Sequence, residues 1–193
     1  MSIFEKIMAV KQASFKDGEI TLFNERVMIV PQESIIFITD YLLKNENLAS
    51  EFYEGIRKSV YAGWANNIRK TYSFDKDPRK FIEWLINLGA FVGWGKHELI
   101  KFDSTQLTGI LRTYNGPIAN HYKGKCNVPV DHYWRALTAG SSSAAFQRDM
   151  DWIELSCMTQ GKDYCEFLFK PRENLTAEEK KKYKDQLPSE NFK

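Results

Sequence analysis

Cysteine and histidine are scarce in this chain, three of each in 193 residues. An odd number of cysteines does not close into a disulfide framework, and Met1–Lys6 lacks the basic flank and apolar run of an export signal. The thiols are therefore expected to be ligands or core residues of a cytoplasmic protein, with a Cys157–Cys165 disulfide as the alternative. No apolar run approaches the roughly 20 residues of a membrane-spanning helix, so no membrane association is expected. Charge of one sign is lacking too. The 27 basic and 25 acidic residues leave a formal +2, which gives no electrostatic footprint for direct nucleic-acid binding. Catalytic signatures are missing: there is no Gly-rich phosphate loop, no His-Glu-x-x-His helix and no Gly-x-Ser-x-Gly elbow. Ser141 to Ser143 lack that elbow's glycines and setting, and read as packing residues.

What the chain does contain is an ordinary globular balance, 43% hydrophobic and 27% charged, with 14% aromatic residues and five tryptophans. It reads as one domain over 1–171 followed by a charged tail over 172–193, in which Thr176 and Glu179 make a capping box for a short helix, Thr176 to Leu187, with little apolar face. Glu19 to Val30 reads as a hairpin around Asn24-Glu25, ended by Pro31, which opens a helical region reaching Tyr72 with a break at Asn45–Asn47. Phe52, Ile56, Val60 and Trp64 recur there at helical spacing, and the small residues Gly55, Ala62 and Gly63 suggest close packing. Asp77-Pro78 starts a further helix that Gly89 should stop. Strands follow at His97–Phe102 and Leu107–Tyr114. A helix from Val130 to about Gln147 carries the small-residue run Ala139–Ala145. The class is α+β, an antiparallel sheet with packed helices.

The chemistry concentrates at the end of the domain. Two apolar runs flank Gln160-Gly161-Lys162-Asp163, a hairpin that brings Cys157 and Cys165 together, and a pair of thiolates suits a soft tetrahedral cation such as zinc. Glu154 is a further candidate, although residues three apart on a regular strand point to opposite faces, so a bulge is needed. His132 or Cys126, upstream at the start of the long helix, can complete the set. With four protein ligands such a site is structural rather than catalytic. Trp84, Phe91, Trp94 and Trp134 can line an apolar cavity, with His97 and Tyr114 supplying polar contacts to a small apolar or aromatic ligand; core packing explains the same residues.

Glu154-x-x-Cys157, Gly161 and Cys165-Glu166-Phe167, after a small-residue helix, resemble the C-terminal signature of the 4-vinyl reductase domain family. These hydrocarbon-binding domains include the sensory domains of bacterial phenol- and xylene-responsive regulators. Weaker echoes are Glu54-Gly55 through Ala62-Gly63-Trp64 and Gly93-Trp94-Gly95, so the resemblance covers roughly residues 15 to 171. In the aromatic-sensing members an upstream Cys, the Glu and the two later Cys bind zinc. Carried over, these are Glu154, Cys157 and Cys165, with the upstream position falling on His132, a departure from the family, and Cys126 as its competitor. The resemblance further implies a ligand-binding fold like that of heme-nitric-oxide sensors and Golgi transport-particle subunits, and a homodimer. The expected function is a zinc-containing sensor for a small hydrophobic or aromatic molecule, acting through a partner or a dimer rearrangement. The alternatives are an accessory to tetrapyrrole vinyl reduction and a non-catalytic interaction subunit.

Overall fold

The elements follow closely from the sequence pattern. The structure, a computed structural model, describes residues 13–22, 25–63 and 77–186. Strands β1 (Ala13–Lys16), β2 (Glu19–Leu22) and β3 (Glu25–Val27) form an antiparallel meander. Helices α1 (Gln32–Lys44), α2 (Glu46–Ala62) and α3 (Pro78–Phe91) come next, followed by β4 (Lys96–Asp103), β5 (Thr108–Tyr114) and the short α4 (Pro117–Tyr122). Helix α5 (His132–Phe146), β6 (Met150–Ser156), β7 (Cys165–Pro171) and α6 (Ala177–Lys182) complete the order. The second sheet runs β4-β5-β7-β6 with every pair antiparallel, which leaves β4 and β6 as its edges.

The expected α+β class holds, but the strands divide into two sheets instead of one. Strand β1 was not expected. Its signal is Asp17-Gly18, both at positive φ (53° and 79°), the backbone that a two-residue hairpin turn requires. Strand β3 ends at Val27, short of Val30, and Met28 and Ile29 are exposed. Phe23 and Asn24 of the expected turn, Trp64, and the helix expected beyond residue 63 to Tyr72 lie outside the described residues. Gly55, Ala62 and Gly63 are exposed, and a Cβ at Gly55 would meet nothing within 4 Å, so they do not provide the close packing expected of them.

That close approach belongs to α5. A Cβ at Gly140 would lie 2.5 Å from the Arg57 carbonyl oxygen and 2.9 Å from Val60 Cβ, so only glycine lets α2 lie this near. The serines beside it pack as expected. Ser142 Oγ accepts from Trp152 Nε1 (3.0 Å) and donates to the Thr138 carbonyl (2.7 Å), while Ser143 Oγ accepts from the Met150 amide (2.9 Å). Helix α5 is thereby buried among α2, α3 and β6, with Ala136, Ala139 and Ala144 fully enclosed.

Helix α3 begins as predicted, with Pro78 in its first turn and Asp77 Oδ1 accepting from the Lys80 amide at 3.4 Å. It runs past Gly89 to Phe91, because Gly89 is a contact residue and not a stop: a Cβ there would lie 2.6 Å from His97 Nε2. The tail has its Thr176–Glu179 capping box, but α6 ends at Lys182 and passes into a tight turn over Lys184–Gln186. Leu175 and Tyr183 are buried against Ile153 on β6, an apolar contact that the charged composition hides.

One buried ionic network ties α2 to the end of the second sheet. Glu54, 2% exposed, bonds Arg57 (2.5 Å) and Arg172 (3.3 Å), while Tyr53 donates to Asp151. Burial alone raises the Glu54 carboxyl, but the two guanidiniums outweigh it and hold the group below its ordinary range.

Candidate functional site

The cysteine hairpin forms as the sequence implies, with a bulge. Register passes from Glu154 opposite Phe167 to Ser156 opposite Glu166, so one extra β6 residue is inserted before Cys157. That insertion restores parity and lets Glu154 and Cys157 face the same side. Four donors converge there: Asp131, Glu154, Cys157 and Cys165, all buried, have ligand atoms within 4.8 Å of one another. The two sulfurs are 3.4 Å apart, and the Asp131 amide donates to Glu154 Oε2 at 3.3 Å. Glu154 Oε1 is buried with no hydrogen-bond partner among the described residues.

The electrostatics of this cluster are those of acids held too close together. Cys165 donates to Cys157 and, against the opposing effect of burial, brings the Cys157 thiol down to about 5; Glu154 and Thr159 add hydrogen bonds to the thiolate. Cys165 keeps that proton and its pKa rises far above the thiol range. Burial, then the charge of Cys157, pushes Asp131 up to about 7, and burial with Asp131 and Cys157 raises Glu154 well above a normal carboxyl. A divalent cation would neutralise such a group. Zinc bonds of about 2.0–2.3 Å put tetrahedral ligand atoms roughly 3.3–3.8 Å apart, beside 3.4 Å between the two sulfurs and at most 4.8 Å across the cluster.

A second group of side chains lies beside the first. The rings of His97 and Trp134 stack at 4.7 Å and 5°, Trp134 on Trp94 at 5.5 Å, and Trp94 on Tyr133 at 5.6 Å. His97 Nδ1 is bonded to Thr113 Oγ1 at 2.8 Å, but His97 Nε2 and Trp134 Nε1 are buried without a hydrogen-bond partner among the described residues. The two groups share a frame. His97 pairs with Thr113 and Thr113 with Cys165 across three strands, while Asp131 immediately precedes the helix whose first turn carries Trp134. Two open clefts, one bordered by Lys101 and Lys170 and one by Arg57 and Arg148, are elsewhere and touch neither group.

No protein-family model and no curated protein matches the chain. Among solved structures it aligns with the phenol-responsive sensory domain of the transcription activator PoxR with phenol. The TM-score is 0.74 at 17% identity, over 96% of this chain and 98% of that one. The fold is that of the PoxR sensory domain. A vinyl-4-reductase family protein from Methanocaldococcus jannaschii (TM-score 0.45, 16% identity, 75% of this chain and 83% of that one) also aligns. So does a trafficking protein particle complex subunit 3 from Naegleria fowleri covalently bound to palmitic acid (0.45, 8%, 72% and 82%). The expected likeness to the sensory domains of phenol-responsive regulators is matched in fold by the PoxR domain.

Within the sensory-domain fold the sequence-predicted residues separate. Cys157, Cys165 and Glu154 come together; the fourth donor is Asp131, which sequence reasoning missed by one position. His132 is turned away. Its Nδ1 faces Arg135 Nη1 at 3.3 Å, and because arginine only donates, Nδ1 accepts and Nε2 holds the ring proton, leaving no lone pair for a metal. Burial and Arg135 push its pKa down to about 3. Cys126, half-buried, points at the Val128 carbonyl (3.9 Å) and is not in the cluster. Of the pocket residues, His97, Trp94 and Trp134 join in one stack, to which Tyr133 and Gly89 are unforeseen additions. Trp84 stacks on Phe81 at 6.0 Å, and Phe91 is 39% exposed. Tyr114 lies on the opposite face of the sheet from Thr113 and bonds Glu98 at 3.1 Å.

Burial holds His97 at about 4, below its ordinary 6.5, so the ring is neutral at physiological pH. Between pH 6.5 and 4 the unfolded chain takes up a proton here that the folded chain does not, and stability falls as pH drops through that window. The margin of the protein over His97→Asn in urea unfolding is expected to shrink by about 2 kcal/mol from pH 7 to pH 5. A margin independent of pH would mean that His97 is not held neutral.

Proposed function

We propose that this chain is a sensor domain that binds a small aromatic molecule bearing a hydroxyl or carbonyl oxygen at His97 and Trp134, beside a structural zinc held by Asp131, Glu154, Cys157 and Cys165. The observation that carries the reading is the pair of orphaned nitrogens. Leaving two buried polar atoms unpaired costs about 1–3 kcal/mol each, and a ligand oxygen bonded to either nitrogen removes its share of that cost. Trp134 Nε1 only donates, whereas neutral His97 Nε2 donates or accepts according to tautomer. The ligand atom must therefore be an acceptor, which suits a phenolic hydroxyl and excludes an ammonium group. PoxR, whose fold this chain shares, is a phenol-responsive activator, and that supports the ligand class.

Helix α3 is the element that responds. Gly89 packs against the Nε2 side of His97 and the benzo edge of Trp134, with its would-be Cβ 2.6 Å from His97 Nε2 and 2.7 Å from Trp134 Cη2, so a ligand oxygen that reaches His97 Nε2 displaces α3. Binding then selects the displaced arrangement by its differential affinity. When bound, zinc supplies the charge that neutralises the buried acids and leaves no position for a water nucleophile, which makes its role structural. The signal passes to a partner or through a homodimer. Phe37 and Tyr41, one turn apart on α1, are exposed apolar residues, as are Met28 and Ile29, which favours the dimer.

Titration calorimetry with phenol, run beside native mass spectrometry for zinc and oligomeric state, tests the reading. Saturable binding is expected, weakened about 10–100-fold in Trp134→Phe, which keeps the ring and removes the donor. A flat titration with phenols, fatty acids and tetrapyrroles would overturn it.

A further inference from the structure

Gln186 stands at the free edge of β6 and pairs with it as a neighbouring strand would. The Glu154 amide donates to Gln186 Oε1 (2.9 Å), and Gln186 Nε2 donates to the Glu154 carbonyl (3.0 Å). The main-chain carbonyl of Gln186 accepts from Arg135 Nη2 at 2.5 Å. Arg135, fully buried, also donates from Nε to the Trp152 carbonyl (2.7 Å) and lies over the Tyr53 ring at 4.7 Å. One residue of the C-terminal segment thus grips the backbone of a cluster carboxylate and, through Arg135, the first turn of α5, which Asp131 precedes. Leu175 and Tyr183 seal the segment onto Ile153 and Leu155, and Lys170 pins α6 through Glu179 at 3.0 Å.

We propose that residues 172–186 form a strap whose docking is coupled to metal binding, with Gln186 and Arg135 as positioning residues for Glu154 and Asp131. The inference rests on the zinc reading given above and adds its regulation. The coupling has a physical route in each direction. With the strap docked, β6 is paired on both sides at Glu154, so its carboxylate is presented at a fixed depth and the entropy cost of ordering it on the metal has already been met. With metal bound, the acids facing Arg135 are neutralised, and the guanidinium is left to the carbonyls of Trp152 and Gln186. Without metal, Arg135 is the cation drawn toward Asp131 and Glu154, and its hold on Gln186 weakens. By reciprocity, whatever the metal adds to docking of the strap, the strap adds to affinity for the metal.

Trypsin cleavage after Lys180, Lys181 and Lys182 reports strap release, and competition with a chromogenic chelator reports zinc affinity. Zinc is expected to slow cleavage of the unaltered protein about tenfold. Gln186→Ala should be cleaved rapidly with or without zinc and should bind zinc about 5- to 20-fold more weakly. Gln186→Glu, which keeps the acceptor and loses the donor, should fall between. These variants lie at a sheet edge, and far-UV circular dichroism checks that the domain itself is intact. Zinc binding by the unaltered protein with cleavage indifferent to zinc, or unchanged zinc affinity in Gln186→Ala, overturns the coupling while leaving the zinc centre in place. Failure of the unaltered protein to bind zinc overturns both.

Discussion

Cys157→Ser is expected to yield a protein that purifies without zinc and is several kcal/mol less stable than the parent. Structural zinc contributes about 10 kcal/mol or more to the folding of small peptides, and a core built on β6, β7 and α5 absorbs part of such a loss. The remainder stays large because the substitution removes the lowest-pKa member of the cluster and leaves Asp131, Glu154 and Cys165 buried together. Elemental analysis and urea unfolding on the variant and on the chelated parent measure it. Zinc at one per chain in Cys157→Ser, or equal stability with and without chelator, would rule out the proposed centre.

Arg135→Met should cost about 3–5 kcal/mol, the usual loss when one partner of a buried charge group is removed. Methionine fills similar volume but leaves the carbonyls of Trp152 and Gln186 and the Nδ1 of His132 without their donor. It also takes away the positive charge that acts on both Asp131 and Glu154. A matched control is Arg148→Met, whose ion pair with Glu173 is about half exposed on both sides and should change stability by no more than about 0.5 kcal/mol. Urea unfolding of the two variants decides the matter; equal effects would mean that the buried guanidinium carries no special weight.

The cysteine hairpin was legible because its signal is local: two apolar runs, a polar turn and two thiols at its mouth. Glu154 was doubtful by strand parity, and the doubt was sound for a regular strand; the bulge before Cys157 answers it, and no residue type in the sequence announces that bulge. Asp131 was hidden by its position. An Asp immediately before a helix reads as an N-cap, yet its side chain makes no capping bond and turns to the cluster instead, a choice made by tertiary packing. Tyr114 could have been excluded from the alternation of β5, in which Leu111 and Thr113 face the core and Arg112 and Tyr114 do not. Gly89 was read as punctuation because its real reason, the rings of His97 and Trp134 pressed against it, arrives from distant parts of the chain. The α+β class survived these misses because it depends on periodicity, and the division into two sheets escaped because periodicity does not say which strands pair.

Composition invites an engineer to end this domain after Pro171, where the sequence turns charged. The strap makes that a poor place to cut. Without residues 172–186, β6 would present free amide and carbonyl groups at Glu154 together with uncovered Ile153 and Leu155, an unpaired apolar edge of the kind on which other chains add strands. The shortened protein would meet its own copies edge to edge, and self-association would mask whatever the domain binds.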